Sequence, residues 1–329
     1  MKLIVDCVLT HQLSSLLGSS ALARLLSAAH LTYSDIPLEA LICKQYALQT
    51  TPDLPIAAIS AAADGLEVGS AYWLRADPVY LVMQRDSFSL GEPVPLLVEP
   101  AHAAHIVDTL NQHFSQDGLI FLIGKSGAWY VKSQQAQEIE TTLPSVAAGK
   151  NIHQFLPQGR MAAKWRAALN EVQMLLHEHS VNEMRESIGE LAVNSVWFSG
   201  GGVMPSTFKS LSPPIQHEAS LMVADDILHQ GLSKWAGSTL QTVPNSLNQL
   251  LLESLQYAHV RIQLPVVTDV DGTWLNALLL ALKHRKISQL TMNLGFYEKC
   301  LIAEIKPLDI YLNRYKFWQK SKPVMQYLA

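Results

Sequence analysis

LHEHSVNEMRESIGELAVNSVWFSGGGVMP, residues Leu176–Pro205, carries an apolar strand at Val193–Phe198 that runs into Gly200, Gly201 and Gly202. A strand ending in glycines brings backbone close to whatever lies there. Glycine tolerates positive φ and exposes amide N–H groups that can cradle an anion. The plainer alternative is a tight turn with no ligand. No Gly-Lys-Ser/Thr follows, which excludes a Walker loop.

Downstream of this stretch the pattern alternates. Strands read at Leu221–Ala224, Leu240–Val243, Val260–Val267, Gln289–Leu294 and Cys300–Ile305. Helical periods fall between them at Asp225–Trp235, Leu247–Tyr257 and Gly272–His284. Such alternation predicts an α/β fold with a mostly parallel sheet and helices on both faces. Upstream, Lys2–Val8 reads as a buried strand, and Leu13–His30 and Pro37–Leu48 as helices. Gln84–Leu90 and Pro95–Val98 read as strands, and Ala101–Phe114 as an amphipathic helix. Leu119–Ile123 and Ala128–Lys132 read as a strand pair joined by Gly124–Gly127. Met161–His179 is helical, with Trp165, Leu169, Val172, Leu175 and Leu176 on one face.

The chain has 329 residues, 49% hydrophobic and 16% charged, with a net charge of −4. It lacks the basic excess that phosphate neutralisation needs, so nucleic acid is excluded as the main partner. No apolar run reaches the roughly 20 residues of a membrane-spanning helix. The start, MKLIVDCVLTHQ, lacks the long apolar core of a signal peptide, so a cytoplasmic location is expected. Cys7, Cys43 and Cys300 have no metal or redox spacing and read as buried free thiols.

His179, Val181, Asn182, Arg185, Gly189, Asn194, Gly200, Gly202 and Pro205 follow one another in an order that resembles the archaeal-type 2,3-bisphosphoglycerate-independent phosphoglycerate mutases. Ala224–Leu232 is similar to that family's helix after its next core strand. Arg75-Ala76-Asp77-Pro78-Val79 is similar to its Gly-Asp-x-Ala-x-Arg segment, and Asn151-Ile152-His153 to a later Asp-Pro-His turn. YWLRADPVYL (Tyr72–Leu81) and VNSVWFSGGGVMP (Val193–Pro205) also resemble a bacterial RpfE-type regulatory family of unclear biochemistry. The resemblance implies an alkaline-phosphatase-like core, residues 1–80 and 194–329, with a smaller α+β domain inserted at 81–193.

The resemblance also implies two divalent metals held by Asp and His clusters, beside a Ser or Thr that accepts the phosphoryl group. Paired ions of this kind clamp both oxygens of an in-line displacement. The chain departs from that pattern. Its first strand ends Asp6-Cys7-Val8 without the Asp-Gly. Thr273-Trp274 stands where a His is expected, and no Asp-His pair follows residue 206. His217, His229, His259 and His284 are scattered without ligand spacing, and Ser60 is the sole nucleophile candidate before residue 72.

The expectation is therefore a catalytically degenerate mutase-like protein with a regulatory or binding role, its partner a small anion or another protein. The alternative is a metal-dependent mutase or phosphatase with a rearranged site, in which Asp6, Asp269 and Asp271 hold manganese or zinc. Asp269 and Asp271 at i and i+2 can reach one hard cation, but Asp at a helix start is also an N-cap, and the cap is favoured. The anion-site candidates are Arg75, Asp77, Asn182, Arg185, Asn194 and Gly200–Gly202. Arg75 and Asp77 can instead pair with each other. His102 and His105 stand at i, i+3 spacing without a third ligand in sequence. The tail interleaves Arg314, Lys316, Lys320 and Lys322 with Tyr311, Tyr315, Phe317 and Trp318, a solvated edge in preference to a lipid or nucleic-acid contact.

Overall fold

The computed structural model describes residues 1–9, 16–48, 53–135, 137–206, 220–265, 269–315 and 322–328. The side chains of residues 313–315 lie outside this set, as do His217 and most of the basic tail. In chain order the strands are β1 Lys2–Val8, β2 His30–Ser34, β3 Tyr72–Val79, β4 Leu81–Met83, β5 Phe88–Leu90, β6 Leu119–Ile123, β7 Trp129–Ser133, β8 Ser195–Gly202, β9 Ser220–Val223, β10 Thr239–Gln241, β11 His259–Gln263, β12 Gln289–Phe296 and β13 Lys299–Ile305. The main helices are α1 Ser20–Ala28, α2 Leu38–Gln45, α3 Ile56–Ala63, α4 Pro100–Phe114, α5 Ala162–His177, α6 Ser180–Ser187, α7 Ile227–Ala236, α8 Leu247–Glu253, α9 Asn276–Lys283 and α10 Pro307–Tyr315. No helix among the described residues is long and apolar enough to cross a membrane.

The chain divides into two units, one made of Met1–Tyr46 with Phe208–Ala329, the other of Ala47–Thr207. The first holds a seven-stranded sheet in the order β10-β9-β11-β1-β12-β13-β2. The five strands from β10 to β12 are parallel, while β13 and β2 add antiparallel pairings at one edge. This is the mixed α/β class with a mostly parallel central sheet that strand–helix alternation predicts.

Register decides what each face of this sheet carries. Leu3, Val5 and Cys7 of β1 pair with Leu290, Met292 and Leu294 of β12. Val260 and Ile262 of β11 join the same row. Side chains alternate with period two, so these residues share one face. They pack with Leu22, Leu25 and Leu26 of α1 and with Leu278 and Leu282 of α9 in one apolar core. The opposite face carries Asp6, in register with Gln263 on one side and Asn293 on the other. Arg261 lies two residues before Gln263 and so projects from this second face. Asp6, Arg261 and Asn293 are all buried.

The second unit centres on a four-stranded antiparallel sheet, β6-β7-β3-β8. Its core joins Ile106, Leu110 and Phe114 of α4 to Trp165, Val172 and Leu176 of α5 across Phe121, Val131 and Phe198. Pro78 is accommodated because β7 pairs with β3 only as far as Arg75, and beyond it Pro78 faces β8 alone.

Several expectations are corrected here. β3 and β8, assigned above to the phosphatase-like core, form the antiparallel sheet of the second unit. The boundaries accordingly fall at 46/47 and 207/208, and the inserted unit is close to half the chain. Strand hydrophobicity alone does not reveal which sheet a strand joins. Pro95–Val98 is not a strand. The glycines lie inside β8, not in a turn beyond it, and all three are buried.

Candidate functional site

The C-terminal half of β1 places a carboxylate at the centre of the parallel sheet, and three side chains converge on it. Arg261 Nε and Nη2 donate to Asp6 Oδ2 and Oδ1 at 2.5 and 3.0 Å. Asn293 Nδ2 donates to Oδ1 at 2.7 Å. His229 Nε2 stands 3.0 Å from Oδ2. The other ring nitrogen, Nδ1, makes a 2.6 Å ion-pair contact with Asp226 Oδ2. Behind these, the Arg261 guanidinium lies over Tyr46, 5.5 Å from the ring centroid, and Gln45 meets Asn293 at 3.4 Å.

Local sequence explains the histidine's position. Asp226 caps α7 by accepting from the backbone N–H groups of Leu228 and His229, the role Asp fills well at a helix start. One turn into the helix, His229 then spans from its own cap to Asp6. Burial would strip the proton from this imidazole, but Asp226 and then Asp6 retain it, and its pKa is pushed up to about 9. Asp6 is raised by burial, yet Arg261 and His229 outweigh that and hold it well below the usual carboxylate range. Asp226 is likewise lowered: burial opposes ionisation, and His229 overcomes it. The result is a set of two carboxylates, an imidazolium and a guanidinium, in which Asp6, His229 and Arg261 are buried and Asp226 is partly exposed at the edge.

This donor set does not fit a two-metal centre. Both oxygens of Asp6 already accept hydrogen bonds, and both nitrogens of His229 face carboxylates. Among the described residues no group of three or more His, Cys, Asp or Glu side chains could hold a metal ion. Asp269 and Asp271 do not share a partner with Asp6. Asp269 Oδ1 accepts from the Gly272 amide at 2.8 Å, the capping role favoured above, and Asp271 accepts from the Ser19 hydroxyl. His229 is the residue that sequence spacing misplaces, because its two partners come from a helix cap and a distant strand.

The anion-site candidates belong to the second unit, with Arg75 and Asp77 on the strand that pairs with the one carrying Gly200–Gly202. Arg75 is paired with Asp77, with Nε 3.1 Å from Oδ1, and its guanidinium lies 5.0 Å from the Tyr130 ring centroid. Asn182 bonds the backbone of Leu176 and Val193 through three hydrogen bonds. Asn194 bonds both backbone groups of Leu81. Arg185 donates to the carbonyls of Leu191 and Leu97 at 2.8 and 3.2 Å and pairs with Glu190 at 2.9 Å.

The glycine amides meet partners supplied by the chain. Gly200 N–H donates to Thr141 Oγ1 at 3.0 Å, and Gly201 N–H to the Asp53 carboxylate at 3.3 Å. The same Asp53 oxygen accepts from the Thr141 amide and hydroxyl. Burial raises the Asp53 pKa, although bonds from Thr141, Leu54 and Gly201 oppose the shift. Packing accounts for the glycines. A Cβ at Gly202 would lie 2.7 Å from Pro55 Cβ. One at Gly200, whose φ is +64°, would lie 2.9 Å from Ile56 Cβ. The three cysteines are buried free thiols, each pushed up to about 12 by burial.

Fold and site together define a mixed α/β protein whose parallel sheet carries a closed ionic cluster where a polar site would form. No family model matches the chain. The 2,3-bisphosphoglycerate-independent phosphoglycerate mutase 2 of Methanothermobacter thermautotrophicus is 24% identical over 155 residues, 46% of this chain and 38% of that protein. The 2,3-bisphosphoglycerate-independent phosphoglycerate mutase of Methanosarcina barkeri is 26% identical over 142 residues, 43% of this chain and 35% of that protein. The matched stretch thus spans little more than a third of either relative. Among solved structures, a cofactor-independent phosphoglycerate mutase from Thermoplasma acidophilum aligns over 93% of this chain and 90% of its own, at 14% identity and a TM-score of 0.43. The PH0037 protein from Pyrococcus horikoshii aligns over 93% and 87%, at 12% identity and 0.48. The chain is distantly homologous to the archaeal-type 2,3-bisphosphoglycerate-independent phosphoglycerate mutases.

Proposed function

We propose that this chain is a phosphoglycerate-mutase-like protein without two-metal phosphotransfer, acting as a binding or regulatory protein of the kind the RpfE-type resemblance suggests. The observation that carries the reading is the saturation of Asp6. The carboxylate at the end of the first strand, where the mutases resembled would place a metal ligand, is neutralised by Arg261 and His229 and hydrogen-bonded by Asn293. A two-metal mechanism needs open coordination positions for substrate oxygens, and this carboxylate has none to offer while Arg261 and His229 remain in place.

The test is elemental analysis of the purified protein, then titration with manganese and zinc at pH 7, then a phosphoglycerate mutase assay with each metal. The expected outcome is no stoichiometric metal and no turnover above the metal-only control. Two ions bound per chain, with interconversion of 2- and 3-phosphoglycerate, would overturn the reading.

A further inference from the structure

Outside the ionic cluster, an exposed feature of the second unit is an apolar patch organised around Arg185. This buried guanidinium pins the carbonyls of Leu97 and Leu191. The side chains of those two leucines are 88% and 42% exposed. Met184 and Ile188, one helical turn apart and therefore on one face, are 46% and 67% exposed. Exposed leucines scattered singly need no explanation, but large apolar side chains gathered on a surface mark contact sites.

In the two segments that carry the patch, residues 92–99 and 178–191, the exposed charged side chains are all acidic. Glu178, Glu183, Glu186 and Glu190 are exposed on the α5–α6 corner and the turn after it, and Glu92 and Glu99 flank Leu97. Between residues 178 and 191 the single Lys or Arg is Arg185 itself, which is buried and paired with Glu190. An acidic rim repels anionic lipid headgroups and nucleic-acid phosphates alike. It also sets carboxylate against carboxylate if two copies meet through this face, which disfavours self-pairing.

We propose that the Leu97–Met184–Ile188–Leu191 surface docks a cationic amphipathic segment of a partner protein, its apolar side chains covering the patch and its Lys or Arg residues meeting the glutamates. An amphipathic helix presents apolar anchors of this kind at i, i+3, i+4 and i+7. The proposal goes beyond the reading of the ionic cluster and stands whether or not the chain binds metal.

The probe is a fluorescein-labelled helical peptide of about 18 residues with leucines at that spacing and lysines on the flanking positions, followed by anisotropy. Binding is expected for the intact protein, weakened by added salt. Leu97→Glu with Ile188→Glu is expected to weaken it at least about tenfold, since anchor residues dominate such contacts. Glu183→Lys with Glu186→Lys is expected to weaken it and to flatten the salt dependence. All these side chains are exposed, so unchanged thermal melts confirm folding of the variants. Three outcomes overturn the proposal: no binding to the intact protein, equal binding by all variants, or a dimer of the chain alone that Ile188→Glu dissociates.

Discussion

Replacing Arg261 with Met removes the guanidinium from Asp6 while keeping most of the side chain's apolar bulk. Asp6 would then retain His229 and Asn293 as partners, at 3.0 and 2.7 Å, but lose two donors and a full positive charge. Removing one partner of a buried ion pair costs about 3–5 kcal/mol, because the remaining charge stays buried and undercompensated. A domain of roughly 150–250 residues loses about 2–4 °C of Tm per kcal/mol. The melting transition of the parallel-sheet unit should therefore fall by about 6–20 °C, followed by far-ultraviolet circular dichroism. The paired variant Asp6→Asn with Arg261→Met removes the stranded charge and should be more stable than the sum of the two single changes predicts. A coupling of about 1–3 kcal/mol is expected for residues in direct contact. A shift below about 2 °C for Arg261→Met, or additivity in the cycle, would refute the claim that this cluster is a mutually dependent unit.

The remaining predictions concern titration and packing. His229 is raised from its usual 6.5 to about 9 in the fold, so its stabilising contribution is complete below pH 6.5 and is lost as pH rises through 9. Melts between those limits should show stability falling with pH, and His229→Gln should flatten that slope; an unchanged slope counts against the imidazolium. Asp6 and Asp226 are both lowered in the fold, so their contribution is present above the ordinary Asp value and lost on acidification, giving a second decline at low pH. Gly202→Ala puts a methyl 2.7 Å from the rigid Pro55 ring and should cost about 1–3 kcal/mol as overpacking. A urea midpoint equal to that of the parent would show that the close approach of β8 to Pro55 does not require glycine.

The parallel sheet is legible because its strands are short apolar runs separated by helical periods, and each strand's existence rests on local pattern alone. β3 and β8 are just as apolar, yet they belong to a different sheet. Nothing local separates a buried parallel strand from a buried antiparallel one. Part of the ionic cluster leaves a trace in sequence: Asp6, Arg261 and Asn293 each stand between two apolar residues of their strands. Their parity relative to the neighbouring apolar residues puts them on one face once register is known. Register is the missing quantity, since it depends on connections far apart in the chain. The glycine triplet carries a signal of close approach, and the groups that approach are Ile56 at Gly200, Tyr72 at Gly201 and Pro55 at Gly202. A glycine reports that space is short without reporting what fills it.

The cluster's charge argues further about metal. Asp6 and the partly exposed Asp226 contribute two negative charges, Arg261 and protonated His229 two positive, so the cluster is neutral as it stands. A divalent ion entering beside Asp6 would leave a net charge of about +2 in a site removed from water, a state that burial penalises heavily. Entry is tolerable only if His229 gives up its proton and Arg261 swings away. Any residual binding should thus release protons and strengthen as pH rises toward 9, the pKa of His229. Calorimetric titration of zinc in buffers of different ionisation enthalpy measures that release directly. Binding that is tight at pH 6 and moves no protons would mean the ion uses other ligands, and the neutral cluster at Asp6 would then have no bearing on metal exclusion.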